Sequence, residues 1–346
     1  MDNNVIHTGL GNFSKDKFDA LVNVRSTALK ALREVLEHQG YTEVTTSTLV
    51  NIAGSCENPH ASFTLNYYGR EAHLSQSAQI QLEKLVIGLK RGVFTINNSF
   101  REENYDDPEA RGRRLSEFTL VEPERPYEGL TPEKALDKLI EEQTAVIKYS
   151  SQKVVEQCAL DIKRLHGDVD YLKKIITAGF ERITYDEARD ILNKNRGTHT
   201  FGDDFGVLEE REILKYFNGI PTFVTYYPAA IKFFNMKRTP DGQRVYNVDL
   251  LTPKLGETSG GAVREEDGEI IKQHLRESRI GAYLRERGQD PVHSFTDYFD
   301  VFAQKNPFLR GGYGIGFERF VGFLLQSNDI LDTVAYRTLN PYEELS

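Results

Sequence analysis

The sequence has few cysteines and no long apolar run. Its 346 residues include two cysteines, Cys56 and Cys158, which are too few for a disulfide framework and lack the spacing of a metal site. The longest apolar candidate, residues 320–325, is short and is interrupted by Gly322, so no membrane span is predicted. The first four residues lack the basic and apolar regions of a signal peptide. These absences predict a reduced, cytoplasmic protein.

The sequence also has no excess of basic residues. It carries 43 Lys and Arg residues against 52 Asp and Glu residues, which gives a formal net charge of -9. Proteins that bind nucleic-acid phosphates over a whole domain are usually basic, so this balance argues against such a protein. The composition, with 39% hydrophobic and 27% charged residues, is typical of a globular chain. The length allows one large domain or two ordinary ones.

Helical and strand-like patterns follow one another in an irregular order. Apolar residues recur at helical spacing from Lys17 to Gln39, and Gly40 occupies the position of a helix C-cap. The run Thr131-Pro132-Glu133 is typical of a helix start, and the helical spacing continues to residue 165. A helical patch is predicted at 185–192, and strands are predicted at 41–46, 92–100, 115–121, 221–227, 231–236 and 245–251. Because the strands come in hairpin-like pairs, we predict an α+β fold with an antiparallel sheet.

A first polar segment flanks the predicted hairpin of residues 92–121. It contains Arg101 and Glu103, followed after a loop by the run from Arg113 to Phe118. The period of two on a strand places Arg101 and Glu103 on one face, where an arginine suits a phosphate or a carboxylate. A solvated hairpin with scattered ion pairs explains the same composition, so both interpretations stay open here.

A second polar segment runs from Asp249 to Glu257 and continues to Arg264. Two carboxylates that bracket a strand can hold Mg²⁺ against nucleotide phosphates, because this cation takes oxygen ligands and keeps several waters. Two acids at this spacing are also typical of ordinary surface charge.

The third segment is rich in glycine and covers residues 311–320. Its glycines at 312, 314 and 316 do not fit the dinucleotide pattern G-x-G-x-x-G, and the 30 residues after Gly316 leave no room for a βαβ unit. A glycine strand that enters the amphipathic stretch 317–325 instead allows the backbone to approach a ligand, with Arg319 at the helix start.

In this order, the three segments resemble motif 2, the acidic segment and motif 3 of class II aminoacyl-tRNA synthetases. Further stretches are similar to the catalytic domain of asparaginyl-tRNA synthetases, which belong to subclass IIb: residues 74–83, 122–124, 227–236 and 256–265. The resemblance implies an α+β fold in which helices flank an antiparallel sheet of six or seven strands that holds a bent ATP and an amino acid. It also implies a single catalytic domain over 18–346, with an N-terminal extension of 1–17 and a helical insertion at about 131–200.

The resemblance implies ATP and Mg²⁺ as cofactors and assigns residues to both. It assigns ATP binding to Arg101, Glu103, Arg114, Phe118, Glu257, Gly316 and Arg319. Arg101 matches the arginine that grips the α-phosphate and the substrate carboxylate, and Glu103 matches the acid beside it. Phe118 and Arg319 match the groups on the two faces of adenine, and Arg319 also lies near the γ-phosphate. Arg101, Glu103 and Arg319 are the predicted catalytic residues, and Asp249 and Glu257 match the Mg²⁺ ligands.

The resemblance also describes the amino-acid pocket. Glu57, Ser77 and Gln79 match residues that hold the α-amino group, although Ser77 and Gln79 also fit as ordinary helix residues. Arg264 matches the arginine that binds the side-chain carbonyl or carboxylate. Glu83 follows the asparagine pattern, whereas an aspartate-specific relative is expected to carry Lys one position earlier. A carboxylate at Glu83 accepts from an amide and repels a free carboxylate, which favours an asparagine-like substrate.

The sequence departs from this family at several points. The resemblance begins within the first 20 or so residues, which leaves no room for an anticodon-binding barrel. The loop at 104–112 looks longer than usual, Arg114 stands in place of a His, and Ser47 stands in place of a Pro in the region of the dimer contact. A homodimer is still expected, but tRNA recognition is expected to be compromised, which makes tRNA a doubtful partner.

These departures favour a stand-alone paralogue. It would adenylate asparagine, aspartate or a close analogue and pass the acyl group to a small nucleophile, such as ammonia or another amine. The first alternative is a minimal asparaginyl-tRNA synthetase that charges tRNA without an anticodon-binding domain. The second alternative is a silent regulator, which would require damage to the ATP site that the sequence does not show.

Overall fold

The fold is described from a computed structural model that covers residues 5–7, 12–51, 59–103, 112–304 and 308–335. The strands are β1 (Val5–His7), β2 (Asn12–Ser14), β3 (Thr42–Glu43), β4 (Leu49–Val50), β5 (Thr64–Tyr67), β6 (Arg70–Leu74), β7 (Val93–Phe100), β8 (Glu117–Pro126), β9 (Glu181–Thr184), β10 (Thr222–Thr225), β11 (Asn247–Thr252), β12 (Gly256–Arg264) and β13 (Arg310–Gly316). The helices are α1 (Lys15–His38), α2 (Gln79–Leu89), α3 (Pro132–Arg164), α4 (Val169–Thr177), α5 (Tyr185–Arg196), α6 (Val207–Tyr216), α7 (Gly268–Glu277), α8 (Arg279–Glu286), α9 (Pro291–Ser294), α10 (Thr296–Phe299) and α11 (Phe317–Leu325).

Eight of the described strands form the main sheet, in the order β3-β7-β8-β13-β12-β11-β10-β9. The six central strands, from β7 to β10, are antiparallel, whereas β3 and β9 pair in parallel at the two edges. The α+β class is therefore confirmed, and the expected count of six or seven strands is low. The additional strand lies at an edge of the sheet. Strand β9 has only four residues between two helices, and its sequence shows no alternation of apolar and polar residues that would predict a strand.

The helix boundaries follow the capping residues in the sequence. Helix α1 has Gln39 as its C-cap, and Gly40 follows with a φ of +85°, a left-handed conformation that favours glycine. Helix α3 begins after Thr131, whose side chain accepts a hydrogen bond from the backbone N–H of Lys134 at 3.4 Å. Both predicted helices are confirmed.

The prediction of a strand at 231–236 is wrong. Residues Ala229–Ile231 form a 3₁₀ turn, and the chain then makes only an isolated bridge between Met236 and Arg264. Phe233 and Phe234 are buried against α7, α8 and the short helices that follow them. The apolar run therefore reflects packing against helices that the sequence patterns did not predict.

The two faces of the sheet have different roles. On one face, α1, α3 and α11 enclose the main hydrophobic core. A Cβ built on Gly261 would lie 3.2 Å from a Leu139 methyl group of α3, so that helix lies close to the strand. A Cβ on the neighbouring Gly260 would point the opposite way, to Glu257 and Asp249.

None of the described helices is both long and apolar enough to cross a membrane.

Candidate active site

A cavity of about 830 Å³ lies over the sheet face that carries Asp249 and Glu257. Eleven of the predicted site residues line it: Ser77, Gln79, Arg101, Glu103, Arg114, Phe118, Asp249, Glu257, Arg264, Gly316 and Arg319. These residues come from segments up to 242 positions apart, and the fold brings them together around one cavity. The predicted Glu57 lies outside the described residues.

Strand β8 contributes to the cavity with every second residue. Phe118, Leu120, Glu122 and Glu124 all line it, while Val121 points into the core. No role was assigned to Glu122 or Glu124 from the sequence. The period of two that starts at Phe118 nevertheless indicates that both face the same side of the strand. The alternation gives the cavity one apolar end, at Phe118, and one acidic end.

The aromatic ring of Phe118 lies beside a guanidinium group. The Cζ of Arg101 lies 5.4 Å from the ring centroid of Phe118, and the Arg101 backbone N–H donates to the carbonyl of Ser116 at 2.9 Å. This arrangement offers a π face for a planar base and a cation for a phosphate within one small region.

The next two residues predicted for ATP pair with each other. The Nη1 of Arg114 lies 3.1 Å from a carboxylate oxygen of Glu103. Beneath them, the buried Arg113 donates to the Glu210 carboxylate at 2.6 Å and to the Leu255 carbonyl at 2.7 Å. Burial raises the pKa of Glu210, and the charge of Arg113 opposes this rise. Glu210 also lines the cavity, and it was missed because it is one of several acids in an ordinary helical pattern.

The two predicted Mg²⁺ ligands converge over one glycine. A Cβ built on Gly260 would lie 2.9 Å from a carboxylate oxygen of Glu257 and 3.3 Å from one of Asp249. The other Asp249 oxygen accepts from Lys232 Nζ at 2.8 Å. Two carboxylates that converge over a glycine, where no side chain fills the space between them, fit Mg²⁺. Proteins hold this ion with one or two carboxylates together with phosphates and water. The described residues contain no cluster of three or more histidine, cysteine, aspartate or glutamate side chains that could hold a metal ion.

Arg319 lies at the other side of these carboxylates. Its guanidinium donates to the Glu257 carbonyl, and its Nη1 lies 3.8 Å from the Glu257 carboxylate. Burial lowers the pKa of Arg319, while Glu257 opposes this shift. Arg319 lies in the first turn of α11, three residues after Gly316, and a Cβ built on Gly316 would lie 3.8 Å from the Cβ and Cδ of Arg319.

The amino-acid end of the cavity has a carboxylate that holds a loop in place. Glu122 accepts from the Ser77 hydroxyl and from the Ala78 backbone N–H, the latter at 2.9 Å. Burial raises the pKa of Glu122, and the two hydrogen bonds oppose this rise. Ser77 therefore reaches the cavity as a partner of Glu122, and the carboxylate is an additional group that suits an ammonium ion.

The structure corrects the position expected for Glu83. Its side chain is fully buried behind the cavity wall, where it lies 2.6 Å from Arg310 and 2.9 Å from the hydroxyl of Tyr298. It does not line the cavity, because Gln79 stands in front of it and donates to it at 3.0 Å. Arg264 lines the cavity and donates to Glu124 at 3.0 Å, and its binding of the amino-acid side chain stays a prediction.

The fold is that of the catalytic domain of a class II aminoacyl-tRNA synthetase. The sequence matches the family described as tRNA synthetases class II (D, K and N) over residues 8–340, and the chain belongs to this family.

Within the family, the chain is similar to asparagine–tRNA ligases. It is 33% identical to the enzyme of Streptococcus sanguinis over 326 residues, which are 92% of this chain and 67% of the relative. It is 33% identical to the enzyme of Pyrococcus abyssi over 94% of this chain and 68% of the relative. The structure of asparaginyl-tRNA synthetase from Pyrococcus horikoshii, solved with asparaginyl-adenylate, superimposes with a TM-score of 0.81 at 31% identity, over 94% of this chain and 69% of that one. The chain thus spans about two thirds of the length of these relatives.

Proposed function

We propose that this chain activates asparagine with ATP and Mg²⁺ and transfers the asparaginyl group to the 3′ end of a tRNA. The observation that carries the proposal is the single cavity that collects eleven predicted ATP-binding, metal-binding and amino-acid-binding residues. The likeness to a synthetase solved with asparaginyl-adenylate supports the same chemistry. Homodimer formation and a cytoplasmic location stay predictions.

The acyl acceptor differs from the one expected from the sequence. A small nucleophile such as ammonia is not supported, because the relatives of this chain are asparagine–tRNA ligases. The doubt about tRNA is likewise not supported, so tRNA is the proposed acceptor. The minimal asparaginyl-tRNA synthetase, the first alternative, is therefore the better interpretation.

The first half-reaction is an in-line displacement at the α-phosphorus. A carboxylate oxygen of the amino acid forms a bond to phosphorus, and the bond from phosphorus to the bridging oxygen breaks with its electron pair on the leaving pyrophosphate. In this proposal Arg101 holds the carboxylate and the α-phosphate, and Phe118, whose ring lies 5.4 Å from the Arg101 Cζ, stacks on the base. We assign Arg319, which lies 3.8 Å from the Glu257 carboxylate, to the charge of the distal phosphates. Mg²⁺ between Asp249 and Glu257 would neutralise charge on the phosphate oxygens.

In the second half-reaction, a tRNA hydroxyl attacks the acyl carbon. The bond from that carbon to the adenylate oxygen breaks, AMP leaves with the electron pair, and the hydroxyl proton is released. The same arginine charge that stabilises the adenylate stabilises the departing phosphate of AMP.

Two assays test the proposal. We expect ATP–pyrophosphate exchange that depends on asparagine, and acid-precipitable labelled asparagine on total tRNA that RNase treatment removes. Absence of exchange with every amino acid would contradict activation. Exchange without any charging of tRNA would show that the activated amino acid goes to another acceptor.

A further inference from the structure

Lys232 contacts a predicted Mg²⁺ ligand, although no role was assigned to it from the sequence. Its Nζ donates to Oδ2 of Asp249 at 2.8 Å, and both side chains are at most 10% exposed. The same ammonium group lies 4.2 Å from the ring centroid of the buried Tyr227. Lys232 also lines the cavity, so its charge has a defined position in the cavity wall.

The backbone holds both partners in place. Asp249 lies on a central strand of the sheet, where it pairs directly with Gly260 of the next strand. Lys232 follows the 3₁₀ turn Ala229–Ile231, and its backbone N–H donates to the Ala229 carbonyl at 3.4 Å. Because a central strand and a hydrogen-bonded turn carry the two side chains, the bond between them fixes the rotation of the carboxylate.

This bond separates the roles of the two Asp249 oxygens. Oδ2 accepts from Lys232, whereas Oδ1 lies over Gly260, 3.3 Å from a Cβ built there. A carboxylate oxygen of Glu257 lies 2.9 Å from the same point. A cation above Gly260 would therefore meet one oxygen of Asp249, because a charge-assisted hydrogen bond holds the other.

Ligation through one oxygen suits Mg²⁺ better than Ca²⁺. Mg²⁺ needs a nearly octahedral shell and keeps several waters, so it takes single oxygens from one or two carboxylates. Ca²⁺ has a larger shell of about 6–8 oxygens and often takes both oxygens of one carboxylate. A lysine that holds one carboxylate oxygen therefore removes a ligand that the larger ion would use.

The charges of the site also favour a metal that arrives with a nucleotide. Lys232 lies 2.8 Å from Asp249, and Arg319 lies 3.8 Å from Glu257, so these four charges balance. Removal of the Lys232 charge alone would strengthen the binding of Mg²⁺ and of Ca²⁺ alike, since both ions carry two charges. The ratio of the two affinities therefore separates the effect of charge from the effect of the oxygen count.

We propose that Lys232 is a positioning residue for the metal: it restricts Asp249 to one metal-facing oxygen and thereby selects Mg²⁺ over Ca²⁺ as the partner of ATP. This rests on the Mg²⁺ site of the proposed function. The effect of Lys232 reaches the metal through Asp249.

The test replaces the ammonium group by an apolar one. Lys232→Met keeps a long unbranched stem and leaves both Asp249 oxygens to a cation. The matched control is Lys237→Met, because Lys237 also donates to a carboxylate, that of Glu265 at 2.9 Å, and does not line the cavity. Titration calorimetry measures the Kd of the α,β-methylene analogue of ATP, once in saturating Mg²⁺ and once in saturating Ca²⁺.

For the wild-type chain we expect the analogue to bind at least about tenfold more tightly with Mg²⁺ than with Ca²⁺. In Lys232→Met this ratio should fall at least about fivefold, because Ca²⁺ gains an oxygen ligand that Mg²⁺ does not use. Lys237→Met should keep the wild-type ratio. An unchanged ratio in the Lys232 variant overturns the positioning role, as does a wild-type chain without a preference for Mg²⁺.

A second measurement covers failure of the variant to fold, since Lys232→Met takes a cation from a mostly buried carboxylate. The wild-type chain is crystallised with the analogue and Ca²⁺, the ion that would take both oxygens of Asp249 if it could. We expect one Asp249 oxygen within about 2.3–2.6 Å of Ca²⁺ and the other still bonded to Lys232. Two Asp249 oxygens on the metal would overturn the inference.

Failure of the proposed function looks different. A metal that lies away from both Asp249 and Glu257 contradicts the proposed Mg²⁺ site, and the role of Lys232 falls with it. A wild-type chain that binds the metal through one Asp249 oxygen but shows no asparagine-dependent exchange contradicts activation, while the role of Lys232 stands.

Discussion

Arg113 donates a hydrogen bond to Glu210 at 2.6 Å and thereby connects the segment before β8 to helix α6. The same guanidinium also donates to the carbonyl of Leu255 at 2.7 Å, just before strand β12. A Cβ on Gly256 would collide with both side chains, at 1.9 Å from Glu210 and 2.2 Å from Arg113. Three separate parts of the ATP end of the cavity therefore meet at one buried ion pair.

Breaking this pair should destabilise the protein. Arg113→Met or Glu210→Gln leaves one buried partner without its counterpart, so each should lower the free energy of unfolding by about 3–5 kcal/mol. The measurement is urea denaturation at neutral pH. The double variant should be less destabilised than either single variant, because no unpaired charge remains. Losses below about 1 kcal/mol in both single variants would show that the pair is not structurally important.

Replacing either of two arginines should remove activation without unfolding the chain. Arg101→Ala and Arg319→Ala each take away a charge placed for a phosphate, so exchange should fall by about 10²–10³-fold. The readout is asparagine-dependent ATP–pyrophosphate exchange, with circular dichroism to check the fold. Arg101→Lys keeps the charge but loses the planar fork, and it should recover only part of the rate. Either alanine variant working at the normal rate would refute the site assignment.

The two acids over Gly260 should set the Mg²⁺ requirement. Asp249→Asn and Glu257→Gln each remove a charged oxygen ligand, so the Mg²⁺ concentration for half-maximal exchange should rise at least about tenfold. The control is Glu141→Gln on α3, whose side chain is 69% exposed. An unchanged Mg²⁺ dependence in both acid variants would place the metal elsewhere.

The affinity for the amino acid should depend on Glu122 and on pH. Glu122→Gln keeps the shape but loses the charge for the α-ammonium group, so the KM of asparagine should rise by about 10–100-fold while the KM of ATP changes little. Because burial raises the pKa of Glu122, its charge is lost at a higher pH than for an exposed glutamate. The wild-type KM of asparagine should therefore rise as the pH falls towards that raised pKa, and the variant should not show this dependence. Parallel pH profiles for the two proteins would contradict this role.

Much of the site could be predicted because its residues lie in or beside strands with a clear period, and because these segments resemble the motifs of class II synthetases. Arg101, Phe118 and Asp249 stand inside or beside apolar alternating runs, and the structure places all three at the cavity. Their predicted roles stay predictions until the variants are measured. The alternation would also have revealed Glu122, which lies four positions after Phe118 and therefore on the same face of the strand.

The position of Glu83 could not be derived in the same way. Its partner Arg310 is 227 residues away, and nothing local indicates that the two side chains meet. The resemblance related Glu83 to an asparagine-like substrate. Whether the Glu83 side chain faces that substrate, however, depends on packing between α2 and β13. The helices from α7 to α10 were missed for a similar reason, since their apolar residues serve a separate small core.

Strand β13 enters the sheet between β8 and β12, and its register pairs Arg310 with Pro126 on one side and with Arg264 on the other. During synthesis, more than 180 residues must therefore emerge between the strand that forms one wall of the cavity and the strand that closes onto it. Such long-range pairing is slow, because the entropy of loop closure is lost before the ladder forms. Until residues 310–316 dock, the nascent chain has two partial sheets with open edges, which makes this the stage at which a ribosome-bound or truncated chain is most exposed to edge-to-edge aggregation and to chaperones.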